Sequence, residues 1–572
     1  MPIPQGQRAP YLLNSRLPPF ELACSKTGIH LIERYRNLIA FDDFETLPSQ
    51  RCLEDPRQGH APSPTRPAIG HKENLVKRFQ HSSLARGLAA LVLAACGGTA
   101  GAATTWYVAT TGNDASPGTL AAPWKTINHA AQTAVAGDTV LVRGGTYKEY
   151  VTVAHSGSAS AGYITFQNYA GERPVVDGTT VSCCGGTIRG LFNIVGKSYV
   201  KVVGFEIRNF KSTANTDEPA GIYVTGSGSY IQLLNNKVHD IVTTAEADNG
   251  NAHGIGIYGT AATPYSYVTI SGNEVYNMKT GWSETMTLDG NVTNFTVTNN
   301  TVHDNDNIGI DAAGWWGMGP SGHDQAKIGT IAGNTVYNIT SGSNGAYGGG
   351  LGADAIYCDG CTQVTIERNV IHDADYGIEA ASEISGHVAS AVTIRDNLVY
   401  DTNQADISIG GYNASVGGSD SITIVDNTLY QSASAAGNGF QIQYKATNNV
   451  FKNNIVYLAN AGSFLYYFTM LATAPAAMDY NAYYASAANP TWVWKNTGYS
   501  SIASFRSASA QDTNAKYADP LFVNAAGHDF HLLGTSPAVG AGTNLGAAVV
   551  GTLDLAGNAR VVNGIDIGAY EQ

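Results

Sequence analysis

Charge and cysteine are both scarce in this chain. Only 13% of its 572 residues are charged, and the balance is acidic, with 32 Lys plus Arg against 45 Asp plus Glu and a net charge of −13. The acidic excess falls after residue 103, which excludes nucleic acid as an electrostatic partner. Seven Cys are too few and too scattered for a disulfide scaffold. Cys183-Cys184 and Cys358-x-x-Cys361 are the close pairs, read as buried thiols or one local disulfide. With no second pair or suitably spaced His nearby, structural zinc is excluded. Long amphipathic helical patterns are missing, and so is any apolar run long enough to span a bilayer.

The clearest apolar run, residues 84–95, is short and follows Lys77, Arg78 and Arg86. Those are the marks of a signal peptide, so residues 76–103 are expected to be a signal region and the protein secreted or periplasmic. Leu93-Ala-Ala-Cys96 also fits a lipoprotein box, which would place a lipid anchor on Cys96 and the protein at the outer membrane; Ala100-Gly-Ala102 fits ordinary cleavage. Residues 1–75 show neither repeat nor strand pattern and are expected to be a non-native or disordered leader, with the true start at Val76.

What the chain does have is a repeat. Eight times it spells Asn, any residue, an aliphatic residue, then His or Tyr, from Asn236-Lys-Val-His239 to Asn454-Ile-Val-Tyr457, with the Asn at 236, 273, 300, 334, 369, 397, 427 and 454. Spacings of this size belong to a solenoid. Each tag ends an alternating run such as Phe295-Thr-Val-Thr-Asn-Asn300, and a second run follows after a polar turn, as in Tyr376-Gly-Ile378. Alternation of period two means strand, so each repeat is one coil of strands, unable to bury its apolar face alone. Stacked coils would carry an Asn ladder at one corner, with Asn itself expected in the left-handed backbone of the turn. The alternating His and Tyr would form an external stack.

This pattern resembles the right-handed parallel β-helix, or pectin-lyase-like, superfamily of secreted bacterial carbohydrate-active enzymes. Trp106-Tyr-Val-Ala-Thr-Thr-Gly-Asn-Asp114 is similar to the opening coil of such chains, and Ser536-Pro-Ala-Val-Gly-Ala-Gly542 with Ile565-Asp-Ile-Gly-Ala-Tyr-Glu571 to their closing segment. The expected architecture is all-β: a solenoid of about 9–11 coils over residues 104–480, then a C-terminal closing segment at 481–572, in a monomer.

Aligning the second strands by their inward apolar residues lines up Met286-Thr-Leu-Asp289, Ile308-Gly-Ile-Asp311, Ile356-Tyr-Cys-Asp359 and Tyr376-Gly-Ile-Glu379. Four acids then form one outward column, roughly 5 Å from coil to coil. Stacked like charges are costly, which favours function over an incidental polar face. Asp359 and Glu379 on adjacent coils would suit a retaining glycoside hydrolase; Asp311 and Glu379, two coils apart at roughly 9.6 Å, would suit an inverting one. The text around Asp359 and Glu379 also resembles β-helix glycosidases such as certain bacterial β-xylosidases, which implies Asp359 as nucleophile and Glu379 as acid/base. Asp289, Trp315, Trp316, Glu383 and Tyr412 are expected to bind a polysaccharide or oligosaccharide, with His253, Glu284 and His387 nearby.

Two other readings stand beside this one. A pectate- or alginate-type polysaccharide lyase would use Asp289, Asp311, Asp354 and Asp359 to hold Ca²⁺, but its base is missing: Lys327, Arg368 and Lys445 are the nearest cationic candidates by sequence, and none occupies an outward slot of the central coils; a hydrolase needs no cofactor. A non-catalytic surface or adhesion β-helix would have uniform faces, without acids concentrated beside aromatic loops.

Overall fold

The computed structural model describes residues 103–467, 476–486 and 490–572. The proposed leader, the signal region up to residue 102 and Cys96 lie outside the described residues. Three long sheets run the length of the solenoid, each built along a path of thirteen strands. One coil crosses all three in turn: Val292–Thr298 in the first sheet, Thr301–Asn305 in the second, Ile310–Ala312 in the third. Each pairs in parallel with its equivalent one coil on. The path is longer than the nine to eleven coils expected, because coils before Asn236 and after Asn454 lack the full tag. The ladders also continue beyond residue 480, through Ala482–Ala485 to Lys516–Tyr517, so the closing segment begins some 37 residues later than expected.

Inward residues of one coil sit over those of the next. In the third sheet Ile255, Met286, Ile310, Ile356, Ile378, Ile407, Phe440 and Leu465 stand in register, all with no exposed surface. Each contributes about 1.5–3 kcal/mol of apolar burial, and each can do so only because the coils on either side cover it.

The Asn ladder runs between the first and second sheets. Each amide donates to the next Asn Oδ1, as in Asn300 to Asn334 at 3.0 Å and Asn334 to Asn369 at 2.9 Å. The ladder extends past the last tag to Asn481, which ends on Asp512 Oδ1 at 2.8 Å. The left-handed residue of this corner is not the ladder Asn but the one before it: Asn235, Asn299, Arg368, Asp396, Asp426 and Asn453 have φ between 52° and 58°. The ladder Asn needs its own amide on the axis, so its neighbour makes the bend. His239, Tyr276, His303, Tyr337, His372 and Tyr400 stack on the second sheet at centroid spacings of 4.7–5.0 Å, as expected.

The last residues turn back along the second sheet. Phe530 packs on Tyr400 and Tyr430, and Arg560, fully buried, lies 3.6 Å from Asp396 and 3.5 Å from Asp426.

Candidate active site

The middle coils of the third sheet form the floor of a cavity of about 810 Å³. Its register corrects the single acidic column. Ile310, not Ile308, pairs with Ile356, so Thr287, Asp311, Tyr357, Glu379 and Ser408 share one outward row. Asp289 and Asp359 stand two residues further along their strands, in the neighbouring row, and Asp359 pairs with Ala381. Ile308 lies before the strand and packs outward with Tyr357 and Ala381. A two-residue slip leaves every side chain on the face it already had, so alternation in the sequence is blind to it.

Asp311 and Glu379 therefore sit on one row with Tyr357 between them, two strand spacings or roughly 9.6 Å apart at the backbone. Asp359 is diagonal to both rather than opposite Glu379, at roughly 7–8 Å, so the close adjacent-coil pair expected for a retaining enzyme is not formed at the backbone. The four acids nevertheless line the same cavity, together with Glu218, Glu284, Asp354 and Glu383. No Lys or Arg is among the lining residues.

Hydrogen bonds divide the labour among these carboxyls. Glu379 Oε1 accepts from Ser408 Oγ and from Gln443 Nε2, both at 3.2 Å, and its carboxyl lies against that of Asp354, close enough for the two to share a proton. Burial pushes Glu379 up to about 7 against these donors, with the Glu383 carboxyl adding to the rise. Asp354 and Asp311 are driven well above the usual carboxylate range by burial first, then by neighbouring acids: Glu379 for Asp354, Glu284 and Asp359 for Asp311. Asp289 is raised to about 8 by burial and by Glu284. Asp311 Oδ1 and Asp354 Oδ1 are buried with no hydrogen-bond partner.

Asp359 has a different setting. It accepts from Trp316 Nε1 at 2.6 Å and from the Glu383 amide at 2.9 Å, while burial and the Glu383 carboxyl hold it well above its ordinary value. A disulfide between Cys358 and Cys361 closes the turn that follows it. The other close pair, Cys183 and Cys184, is also joined.

The long inserts form the walls, each tied down by a buried Asp. Asp324 accepts the Gly317 and Gly319 amides at 2.5 and 2.6 Å and fixes the Trp loop. Asp375 accepts from Ser341, Gly352 and Ala353 amides and holds the 340–353 insert. The two adjacent Trp diverge. Trp316 faces the cavity and is 49% exposed, whereas Trp315, at φ 76°, turns away and stacks on His387 with centroids 4.1 Å apart. Neither Trp315 nor His387 lines the cavity. Tyr412, 57% exposed, stands at the rim, and Trp282 packs on Tyr347 across the opposite side.

His253 donates or accepts with Tyr258 OH at 3.1 Å and lies 3.6 Å from Glu218. Glu218, Tyr347, Tyr357, Ser408 and Gln443 were missed by sequence reasoning. Glu218 and Gln443 come from coils outside the acidic stretch, and Tyr347 from an insert without pattern; only Tyr357 and Ser408, on outward positions, carried a usable signal.

Asp289, Asp311, Asp354 and Asp359, the cation ligands expected for a lyase, all line the cavity. Asp289, Asp311 and Asp359 come from three strands and two rows, and among the described residues no three His, Cys, Asp or Glu gather to hold a metal ion. The basic candidates are elsewhere: Lys327 begins a strand of the first sheet, Arg368 pairs with Glu367, and Lys445 donates to the Val416 carbonyl.

A parallel β-helix with an acid-lined, aromatic-walled groove on one sheet defines a class. The chain belongs to the pectin-lyase-like superfamily of right-handed parallel β-helices. Residues 106–255 match the model of the Pel9A-like right-handed β-helix region, and residues 321–502 that of the right-handed β-helix region. It is 37% identical over 435 residues to the uncharacterized protein YwoF of Bacillus subtilis (strain 168), covering 76% of this chain and 91% of the relative. It is 29% identical over 119 residues to pectate lyase PEL9 of Emericella nidulans, covering 20% of this chain and 29% of that protein. The crystal structure of pectate lyase Pel9A is similar over 83% of this chain and 98% of its own, at 14% identity and a TM-score of 0.44.

Proposed function

We propose that the protein is a carbohydrate-active enzyme that hydrolyses glycosidic bonds with inversion, using Glu379 as proton donor and Asp311 as the base that activates water. The observation that carries this reading is the shared row: two buried carboxyls flanking Tyr357, roughly 9.6 Å apart at the backbone, just beyond the roughly 6.5–9.5 Å between carboxyls that inverting enzymes use to admit a water. Glu379, titrating at about 7, can hold its proton at working pH and give it to the leaving oxygen. Asp311 Oδ1 is buried without a partner; burial and the Glu284 and Asp359 carboxyls favour its protonated form, so it serves as base only in the fraction of protein in which it is ionised. Asp359 positions Trp316 through the indole hydrogen bond, and Trp316, Trp282 and Tyr412 offer faces for pyranose rings.

The lyase alternative takes its support from the name of the PEL9 relative. Against it stands the cavity lining, where no Lys or Arg waits to remove a C5 proton. Secretion and any lipid anchor remain part of the proposal, resting on the residues 76–103 pattern alone.

The test is to incubate the protein with a glycan panel, with and without chelator, and weigh the products. Hydrolysis adds one water per cleavage and is indifferent to chelator; elimination yields an ultraviolet-absorbing double bond. Glu379→Gln should lower kcat by at least 10²-fold with the fold intact by circular dichroism. Unchanged turnover would overturn the assignment.

A further inference from the structure

The cavity is rich in carboxyl acceptors, eight in all, and has no Lys or Arg in its lining. Two of its neutral donors are already engaged on carboxyls, Trp316 Nε1 on Asp359 and Gln443 Nε2 on Glu379 and Ser408. Asp354, only 3% exposed, keeps one oxygen without any partner, and it lies beside Glu379 with Glu383 acting on it electrostatically. A buried acceptor in this position asks for a donor from the ligand.

We propose that the substrate is a glycan bearing free amines, a hexosamine chain whose ammonium is held by Asp354. This rests on the glycosidase reading above and names its substrate class. An ammonium brings three donors and no acceptor, which matches the carboxyl-rich lining of the cavity; a neutral hydroxyl brings one donor with its own lone pairs, and a uronate brings further negative charge. Half-exposed Trp316 and Trp282 at the mouth add ring faces that attract cations as well as sugar faces. Once an ammonium sits on Asp354, that carboxyl has no need of the proton it shares with Glu379. The proton is then left on Glu379, the group that must deliver it.

Binding separates this inference from the hydrolase reading. Glu379→Gln protein would be titrated with a glucosamine hexamer, its fully N-acetylated counterpart and a galacturonate hexamer, following Trp fluorescence. The free-amine chain should bind at least tenfold more tightly than the N-acetylated one. Asp354→Asn in the same background, checked for folding by circular dichroism, should erase that ratio. Equal or weaker binding of the amine chain, no binding of it, or a ratio that survives Asp354→Asn would overturn the inference. Wild-type protein is then given the three chains as substrates: cleavage with gain of water on the N-acetylated chain in preference to the amine chain would sink the inference and leave the hydrolase, whereas an unsaturated product from galacturonate would remove the hydrolase itself.

Discussion

A carboxyl that titrates near neutrality can serve as a proton donor only while it holds its proton. Glu379 is raised to about 7 by burial, so it is protonated below that pH and loses its proton above it. If Glu379 is the donor, kcat/KM should fall as pH rises through about 7, and the pH-rate profile of the residual activity in Glu379→Gln should lack this limb. A profile whose alkaline limb is unchanged in the variant would contradict the role. The two Trp give a second residue-level prediction. Trp316→Ala should raise KM roughly tenfold, since it removes a ring face and the partner of Asp359. Trp315→Phe keeps the stack on His387 and should leave KM near the wild-type value. Steady-state kinetics of the pair decides whether the loop faces as described.

At the scale of the element, the Asn ladder is what the sequence displays most openly and what the coil depends on. Asn334 donates to Asn369 and to the Val297 carbonyl, and accepts from Asn300 through both its amide and backbone N–H. Asn334→Ala leaves several of these buried groups unpaired and should cost about 3 kcal/mol or more in urea unfolding. The ladder was legible because its chemistry is carried by a residue type repeated at one corner. The bend beside it was less so, since the left-handed position tolerates Asn, Asp, Arg or Gly and leaves no single letter. The acidic rows show the other limit. Ile308 and Ile310 both satisfy an alternating pattern, and only the pairing of Ile310 with Ile356 separates Asp289 and Asp359 from Asp311 and Glu379. Which acids are opposite is a matter of register between coils, and register is set by loops whose lengths, as in the insert between Ala312 and Lys327, the sequence shows without showing their path.

On the scale of the whole molecule, stacking is what makes a site from residues up to 255 positions apart, from Ile188 to Gln443. The closing segment contributes differently, by sealing charge. Arg560 sits in a fully buried position facing Asp396 and Asp426, both without exposed surface, with Glu571 3.8 Å away. Arg560→Met would strand these acids and should destabilise the protein by about 3–5 kcal/mol, measured by urea unfolding; a loss below 1 kcal/mol would mean the segment is dispensable to the coils it covers. The family and the coil were readable from repeat and flank, and the long inserts at 312–327 and 339–353 could be expected to wall the groove, whereas which of their side chains face it became visible only with the coils in place.

The most direct test of the central claim is the stereochemistry of the first product. Fresh hydrolysate of a glycan cleaved by the wild-type protein, followed by proton NMR before mutarotation, should show the anomeric centre inverted and a mass gain of one water, as an acid at Glu379 and a base at Asp311 two strands away require. Retention of configuration would move the nucleophile to another carboxyl, and an unsaturated sugar would mean that the reaction is elimination.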